Sequence, residues 1–304
     1  MRSRIHRTLR LSENGYSMVE LMISMAIFLI ISSGLFGALG YYMKNYQRTQ
    51  LTVDMHDNLR SAIDLMAQEI GQAGLLSSNT NQITTLGAAV ATGSQTVAFG
   101  SAATIFVGEK LLIDAGSNQE LVSVTAVSSN NVTAVFGLSH ASGAVVNALG
   151  VFPQGVLSSS TANQLQLVGD INGDGTLVYV EYNCNNQAPG PGTLTRSITP
   201  ISAASKNAPT ILLDKVMPNP GGTACFQYGS AITAGGSTFV PQVGVTMTVQ
   251  SSTIDPVTGV FLTITKQALD LVPRNVQMGV IMASASPALT TRLQPTPPGI
   301  PIVH

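Results

Sequence analysis

Twelve consecutive residues, Asp170-Ile171-Asn172-Gly173-Asp174-Gly175-Thr176-Leu177-Val178-Tyr179-Val180-Glu181, have the spacing of a cation-binding loop. Oxygen-bearing side chains stand at positions one, three and five, Gly at six and Glu at twelve. That is the formula by which an EF-hand loop wraps hard oxygen ligands around calcium. The flanks argue against a complete loop of that kind, because Leu165 to Val168 and Leu177 to Tyr182 read as strands where helices are required. With residues 177–182 extended at about 3.3 Å each, Glu181 ends roughly 15 Å past the loop, which makes the twelfth position coincidental. Two readings stay open for the first half. Asp170, Asn172 and Asp174 hold calcium with the Thr176 carbonyl and water, or Asn172-Gly173 and Asp174-Gly175 only turn a hairpin. Three clustered oxygen-bearing side chains are more than a turn requires.

Glu20 is the second residue that asks for a chemical explanation. It is the only charge in an apolar run from Met18 to Tyr42, long enough at about 1.5 Å per helical residue to span a bilayer. A carboxylate inside a membrane helix costs roughly 2.5–3.5 kcal/mol and calls for a partner. Other candidates are fewer. Cys184 and Cys225 end two apolar runs, and one disulfide closing that loop would stabilise by roughly 4 kcal/mol in the chain-entropy model. Two free buried thiols are the alternative. His140 with Glu120 could be catalytic or metal-binding, but a lone His in a turn is more often structural. No Ser/His/Asp grouping, His/Cys metal cluster or phosphate-cradling glycine loop stands out, so an enzyme is not expected.

The elements that must position these residues follow from pattern. Charged residues make up 10% of the 304-residue chain, with a formal net charge of −1 and no Trp. Nothing in that balance suggests nucleic-acid binding. Ser, Thr, Val, Gly and Asn crowd the chain after residue 77, as in exported β-structure, where two cysteines can pair. Residues 1–15 carry Arg2, Arg4, Arg7 and Arg10 against Glu13, while Lys44 and Arg48 follow the span. The positive-inside rule keeps the leader cytoplasmic and sends the long C-terminal part outward. Gly34, Gly37 and Gly40 recur at every third position; they either provide a local melting point or let neighbouring helices approach.

From Asn45 the run turns amphipathic. Met55, Leu59, Ala62, Ile63, Met66, Ile70 and Ala73 form one apolar face, with Asp54, Asp57, Arg60, Asp64, Gln68 and Glu69 mostly on the other. One helix from about Ser17 to about Ala73 is expected, ended by Gly71, Gly74 and Ser77-Ser78-Asn79. The expected fold is α+β: a long N-terminal transmembrane and amphipathic helix packed on an antiparallel β-sheet head, with an extra small β-module. The divisions are leader 1–15, transmembrane half 16–44, amphipathic half 45–76, β-module 80–150, sheet domain 151–281 and a Pro-rich tail 282–304. The sheet domain ends in the run from Gly259 to Val276, and the tail is expected to be extended and partly disordered.

A basic leader ending in Gly15-Tyr16-Ser17-Met18-Val19-Glu20 before an apolar helix resembles the prepilin family: type IV pilins, their minor pilins and type II secretion pseudopilins. Tyr16 replaces the commoner Phe, and Ser17 the commoner Thr. The resemblance implies that prepilin peptidase cuts after Gly15 and N-methylates Tyr16. It also implies that Glu20 lies near the Tyr16 amine of a neighbouring subunit during assembly. The stretch from Leu59 to Gly74 is similar to PilW-like minor pilins. So is the order Tyr182-Asn183-Cys184, Leu194-x-Arg196, Ile211-Leu212-Leu213, Cys225-Phe226-x-Tyr228 and Pro273-Arg274-Asn275-Val276. Within residues 80–150, the segments Gly108 to Asp114, Glu120 to Val124 and His140 to Gly143 resemble small β-modules of bacterial surface proteins.

The family implies a minor pilin in type IV pilus assembly, in a tip or priming complex. It would be held in the inner membrane by one span, with its head in the periplasm and then in the fimbrium at the cell surface. Its implied partners are other pilins and minor pilins, prepilin peptidase and a tip adhesin. A type II secretion pseudopilin is the alternative within the superfamily. From a different class comes a membrane-anchored calcium-binding adhesion module that never polymerises. No cofactor other than calcium is expected.

Overall fold

The computed structural model describes residues 15–76, 83–148, 150–186, 190–286 and 289–302. Most of the leader, the helix stop at Ser77-Ser78-Asn79 and Pro287 lie outside the described residues. Helix α1 (Met18–Gln72) runs 55 residues without a break, roughly 80 Å at 1.5 Å per residue. Every residue of the expected apolar face, from Met55 to Ala73, is buried. The helix stops where Ala73 donates to the Glu69 and Ile70 carbonyls and Gly74 adopts φ +86°.

Two antiparallel sheets follow. The first comprises β1 (Thr84–Thr85), β2 (Gly93–Ala98), β3 (Lys110–Ile113), β4 (Glu120–Ser128), β5 (Asn131–Phe136) and β6 (Val145–Ala148), in the order β1-β6-β3-β4-β5-β2. Its edges meet, because Gly87 donates to the Ala98 carbonyl and Gly100 to the Thr85 carbonyl. The sheet thereby closes on itself around Leu111, Ile113, Val122, Val124, Val132, Ala134 and Phe136.

The second sheet is built from β7 (Gln164–Gly169), β8 (Val178–Asn185), β9 (Gly192–Pro200), β10 (Thr210–Met217) and β11 (Phe226–Tyr228). After a small hairpin of β12 (Ile232–Ala234) and β13 (Ser237–Phe239), β14 (Val243–Ile254) and β15 (Phe261–Leu271) complete it. The order is β11-β14-β10-β9-β8-β7, with β15 paired along β14. Strand β8 is buried on both faces. Val178, Val180, Tyr182 and Cys184 join the core beneath α1, while Leu177 and Tyr179 join the core of the first sheet. Helix and module therefore cover opposite sides of the same strands.

The end of the chain departs from the expectation. β15 stops at Leu271, and the residues after Pro273 form helix α2 (Arg274–Ala285) instead of prolonging the strand. Pro273 supplies no N–H to a ladder and sits at the N-cap, where Val276 and Gly279 turn inward. The tail is ordered over 289–302, and it packs. Leu293 bridges Val151, Gln294 exchanges two hydrogen bonds of 2.9 Å with the Lys110 backbone, and Ile302 is buried in the core of the first sheet. Leu289–Arg292 make one short 3-10 turn, and the prolines that follow it do not prevent docking.

Candidate functional site

The candidate residues fall in three places. The first is the start of α1. Gly15 and Tyr16 lie outside regular structure, Ser17 is extended at the N-cap, and Leu21 N–H donates to the Ser17 carbonyl as the helix begins. Glu20 occupies the first turn, where a carboxylate complements the helix dipole. Its side chain is exposed and has no partner among the described residues. From Met18 to Met43 the large apolar side chains are exposed, and this half of α1 packs on nothing among the described residues. An apolar surface of that extent needs lipid or another protein around it. The helix passes through Gly34, Gly37 and Gly40 unbroken.

The second place is the underside of the same helix. Glu69, expected on the polar face, is instead buried. Its carboxylate takes hydrogen bonds from the Tyr182 hydroxyl and from Arg196, whose Nε lies 3.2 Å away and whose Nη2 closes the fork. Burial opposes the Arg196 charge, but Glu69 and Tyr182 outweigh it and hold the guanidinium proton more tightly than usual. Burial, then the Glu69 charge, push the Tyr182 hydroxyl pKa up. On the same side, Cys184 and Cys225 form the disulfide, with Cα atoms 6.4 Å apart.

The third place is the Asp170 loop. Asp170 is buried, and its two carboxylate oxygens accept the N–H groups of Asp174 and Gly175 at 3.1 and 3.0 Å; an Asp174 oxygen accepts Thr176 N–H at 2.8 Å. Gly173 and Gly175 have φ of +70° and +84°, which bends the loop back on Asp170. Glu181 is not part of it. It pairs with Gln166 in the β7–β8 ladder, three positions past the Gly169–Val178 pair. Its buried carboxylate takes hydrogen bonds from Tyr179, Asn183 and Lys206. Desolvation would raise its pKa, but Lys206 first, then Tyr179 and Asn183, bring it below the usual range.

As a donor set the loop supplies hard oxygens with lone pairs left over, which suits calcium. Among the described residues, however, no three His, Cys, Asp or Glu side chains come close enough together to hold a metal. A cavity of about 210 Å³ separates the loop from the first sheet and is lined by Asp170, Asp174 and Glu109 among others. Sequence reasoning missed Glu109. It is buried, burial pushes its pKa up to about 8, and the Phe106 N–H only partly offsets that.

Asp114 was also missed. His140 is buried with Nδ1 3.1 Å from an Asp114 oxygen and Nε2 2.7 Å from a Glu120 oxygen, and Asn118 touches the same edge of the ring. Glu120 also accepts Gly137 N–H at 2.8 Å. The ring thus fastens the β3–β4 loop to the segment after β5. No hydroxyl or thiol among the described residues is hydrogen-bonded to it. The sequence signal was present, because Asp114, Glu120 and His140 each belong to one of the three short segments picked out within residues 80–150.

Residues 10–36 match the family model described as the prokaryotic N-terminal methylation motif. That stretch contains Gly15, Tyr16 and Glu20 and fits a type IV pilin-like prepilin anchored in the inner membrane, of the kind that assembles pili or pseudopili. No curated protein and no solved structure matches the chain.

Proposed function

We propose that this type IV pilin-like chain is a minor pilin, cut after Gly15, N-methylated on Tyr16 and incorporated near the tip of a type IV pilus. The observation that carries the reading is the unpacked first half of α1, with Glu20 as its only acid, inside the methylation motif. An apolar helix face left open by its own chain suits stacking against the same face of other pilins. A buried acid then finds its counter-charge on the N-terminal amine of a neighbour, where two charges that are each costly in lipid neutralise one another. The head, on the outward side of the span, is the part that contacts sibling minor pilins or an adhesin. The work is binding and assembly, without catalysis.

The test has two arms. Mass spectrometry of protein from cells with an active processing enzyme is expected to find N-methyl-Tyr16 at the amino terminus. Recovery with the first fifteen residues attached rejects the reading. Glu20→Ala is expected to be processed and membrane-bound but poorly incorporated into filaments, and incorporation equal to the wild type rejects the role given to Glu20.

The same reading assigns one calcium ion to Asp170, Asn172, Asp174 and the Thr176 carbonyl, with water completing the shell. Isothermal titration of the full chain in detergent, with calcium and with EGTA, checks this. Heat of binding that disappears in Asp174→Ala is the expected result.

A further inference from the structure

The tip of the β14–β15 hairpin has no part in the reading above. Between Ser251 and Leu262 the exposed large side chains are Ile254, Val257, Val260 and Phe261, each between 40 and 59% accessible. The one ionisable residue of this segment, Asp255, is fully buried. Its carboxylate accepts Val257 N–H at 3.0 Å and the Thr258 hydroxyl at 2.6 Å, and it meets Arg48 Nε at 3.5 Å. The tip therefore shows its surroundings an apolar surface with its only charge turned inward and paired.

The Arg48 contact fixes where on α1 this surface lies. Arg48 is four residues beyond Lys44, about 6 Å along the helix from the end of the charge-free stretch. Gln47, Gln50 and Leu51 of the helix and Ile254 and Pro256 of the tip line a common cavity of about 300 Å³. Exposed Tyr41, Tyr42 and Tyr46 occupy the same level of α1, as aromatic residues do at a membrane boundary. Lys44 and half-exposed Arg48 add positive charge suited to anionic headgroups. Four apolar side chains without a charge thus sit beside the helix where it leaves the hydrocarbon.

We propose that the β14–β15 tip inserts Ile254, Val257, Val260 and Phe261 into the headgroup layer of the membrane that holds α1. The head then rests on lipid at a second point before the subunit is drawn into a filament. Surface-seated apolar faces reach about 5–10 Å into that layer, a depth matched by a tip docked one turn above the span. The proposal rests on the first half of α1 lying in lipid. Its consequence is orientation, since two lipid contacts fix the rotation of the whole subunit about the helix axis in the membrane, where one would leave it free.

The absence of Trp from the chain supplies the test, because a single introduced Trp reports alone. The full chain is reconstituted at high dilution into phosphatidylethanolamine–phosphatidylglycerol vesicles, with and without bromine on the upper acyl carbons. Four variants are compared: V257W and F261W at the tip, L35W within the span, and I232W in β12, at the opposite end of the head. Blue-shifted emission that is lost in brominated vesicles is expected for V257W, F261W and L35W, with I232W unchanged. Quenching of L35W alone overturns the proposal while leaving the anchor intact. Blue-shifted but unquenched tip variants overturn it too, because protein then covers the tip. An unquenched L35W overturns the anchor reading itself, and the proposal with it. Two tip variants guard against one misfolding, checked by the intact Cys184–Cys225 disulfide.

Discussion

Helix α1 carries two glutamates that live under opposite rules. Glu69, in the second half, is sealed under the sheet and held by Arg196 and Tyr182 of strands more than a hundred residues away. Glu20, in the first half, is exposed and has no partner among the described residues, and the apolar side chains around it are equally uncovered. One half of the helix has its needs met by its own chain, and the other half is built for surroundings the chain does not supply. An unbroken helix joins them, so the folded head sets the position of the open apolar half.

Removing the internal partner is the strongest way to break this contrast. Glu69→Ala leaves Arg196 and the Tyr182 hydroxyl without their carboxylate. Losing one member of a buried ion pair costs about 3–5 kcal/mol. Urea denaturation of the full chain in detergent should show a loss of that size. A loss below about 1 kcal/mol would mean the helix is held by its apolar face alone.

Glu109 extends the comparison to a buried acid with no cationic partner among the described residues. Its folded pKa is raised from 4.5 to about 8, so the unfolded chain releases this proton first. Stability from this group therefore falls as pH climbs from about 4.5 to about 8 and levels off above, by an amount on the order of a few kcal/mol. Glu109→Gln cannot ionise. In EGTA, it should match the wild type near pH 4.5 and exceed it at pH 8, seen as a difference in Tm that grows with pH. A constant difference would show that Glu109 ionises freely in the fold.

The junction between helix, sheet and module can be perturbed at one atom. At Gly155 an added Cβ would lie 2.4 Å from the Gly74 nitrogen and 2.5 Å from its Cα. Gly74 in turn donates to the Val168 carbonyl and accepts from Phe152 N–H, which stitches the end of α1 to both neighbours. Overpacking of this kind costs about 1–3 kcal/mol, so Gly155→Ala should lower the unfolding free energy by that much and move the urea midpoint down accordingly. Gly71→Ala, where the same atom meets open space, should not.

These residues also mark what could be read before the fold was known. The apolar face from Met55 to Ala73, the strand setting of Glu181 and the pairing of the two cysteines follow from local pattern. Period, flanking residues and compartment all leave a trace in neighbouring sequence. Glu69 was misplaced because a charge beside Ile70 looks solvated until Arg196, 127 residues on, is brought beneath it. Glu109 gained its surroundings through folding and docking of the first sheet, which no short window contains, whereas Asp114 stands in one of the segments singled out above and only its link to His140, 26 residues on, went unread. Helix α2 was legible and overlooked. Val276, Gly279, Val280 and Ala283 repeat at helical spacing right after Pro273, but the long strand before them carried the reading onward.

The smallest expected change in stability is at Glu20, and it is the most informative for that reason. Glu20→Ala removes an exposed side chain that has no partner among the described residues, so denaturation of the head should move by no more than about 0.5 kcal/mol. Processing at Gly15 and membrane retention should persist too, because the apolar run is untouched. The loss should appear only when subunits meet, as failure to enter filaments. If Glu20→Ala instead destabilised the head as Glu69→Ala does, the first half of α1 would have a partner within its own chain. The division of the helix into a satisfied half and an open half would then be lost.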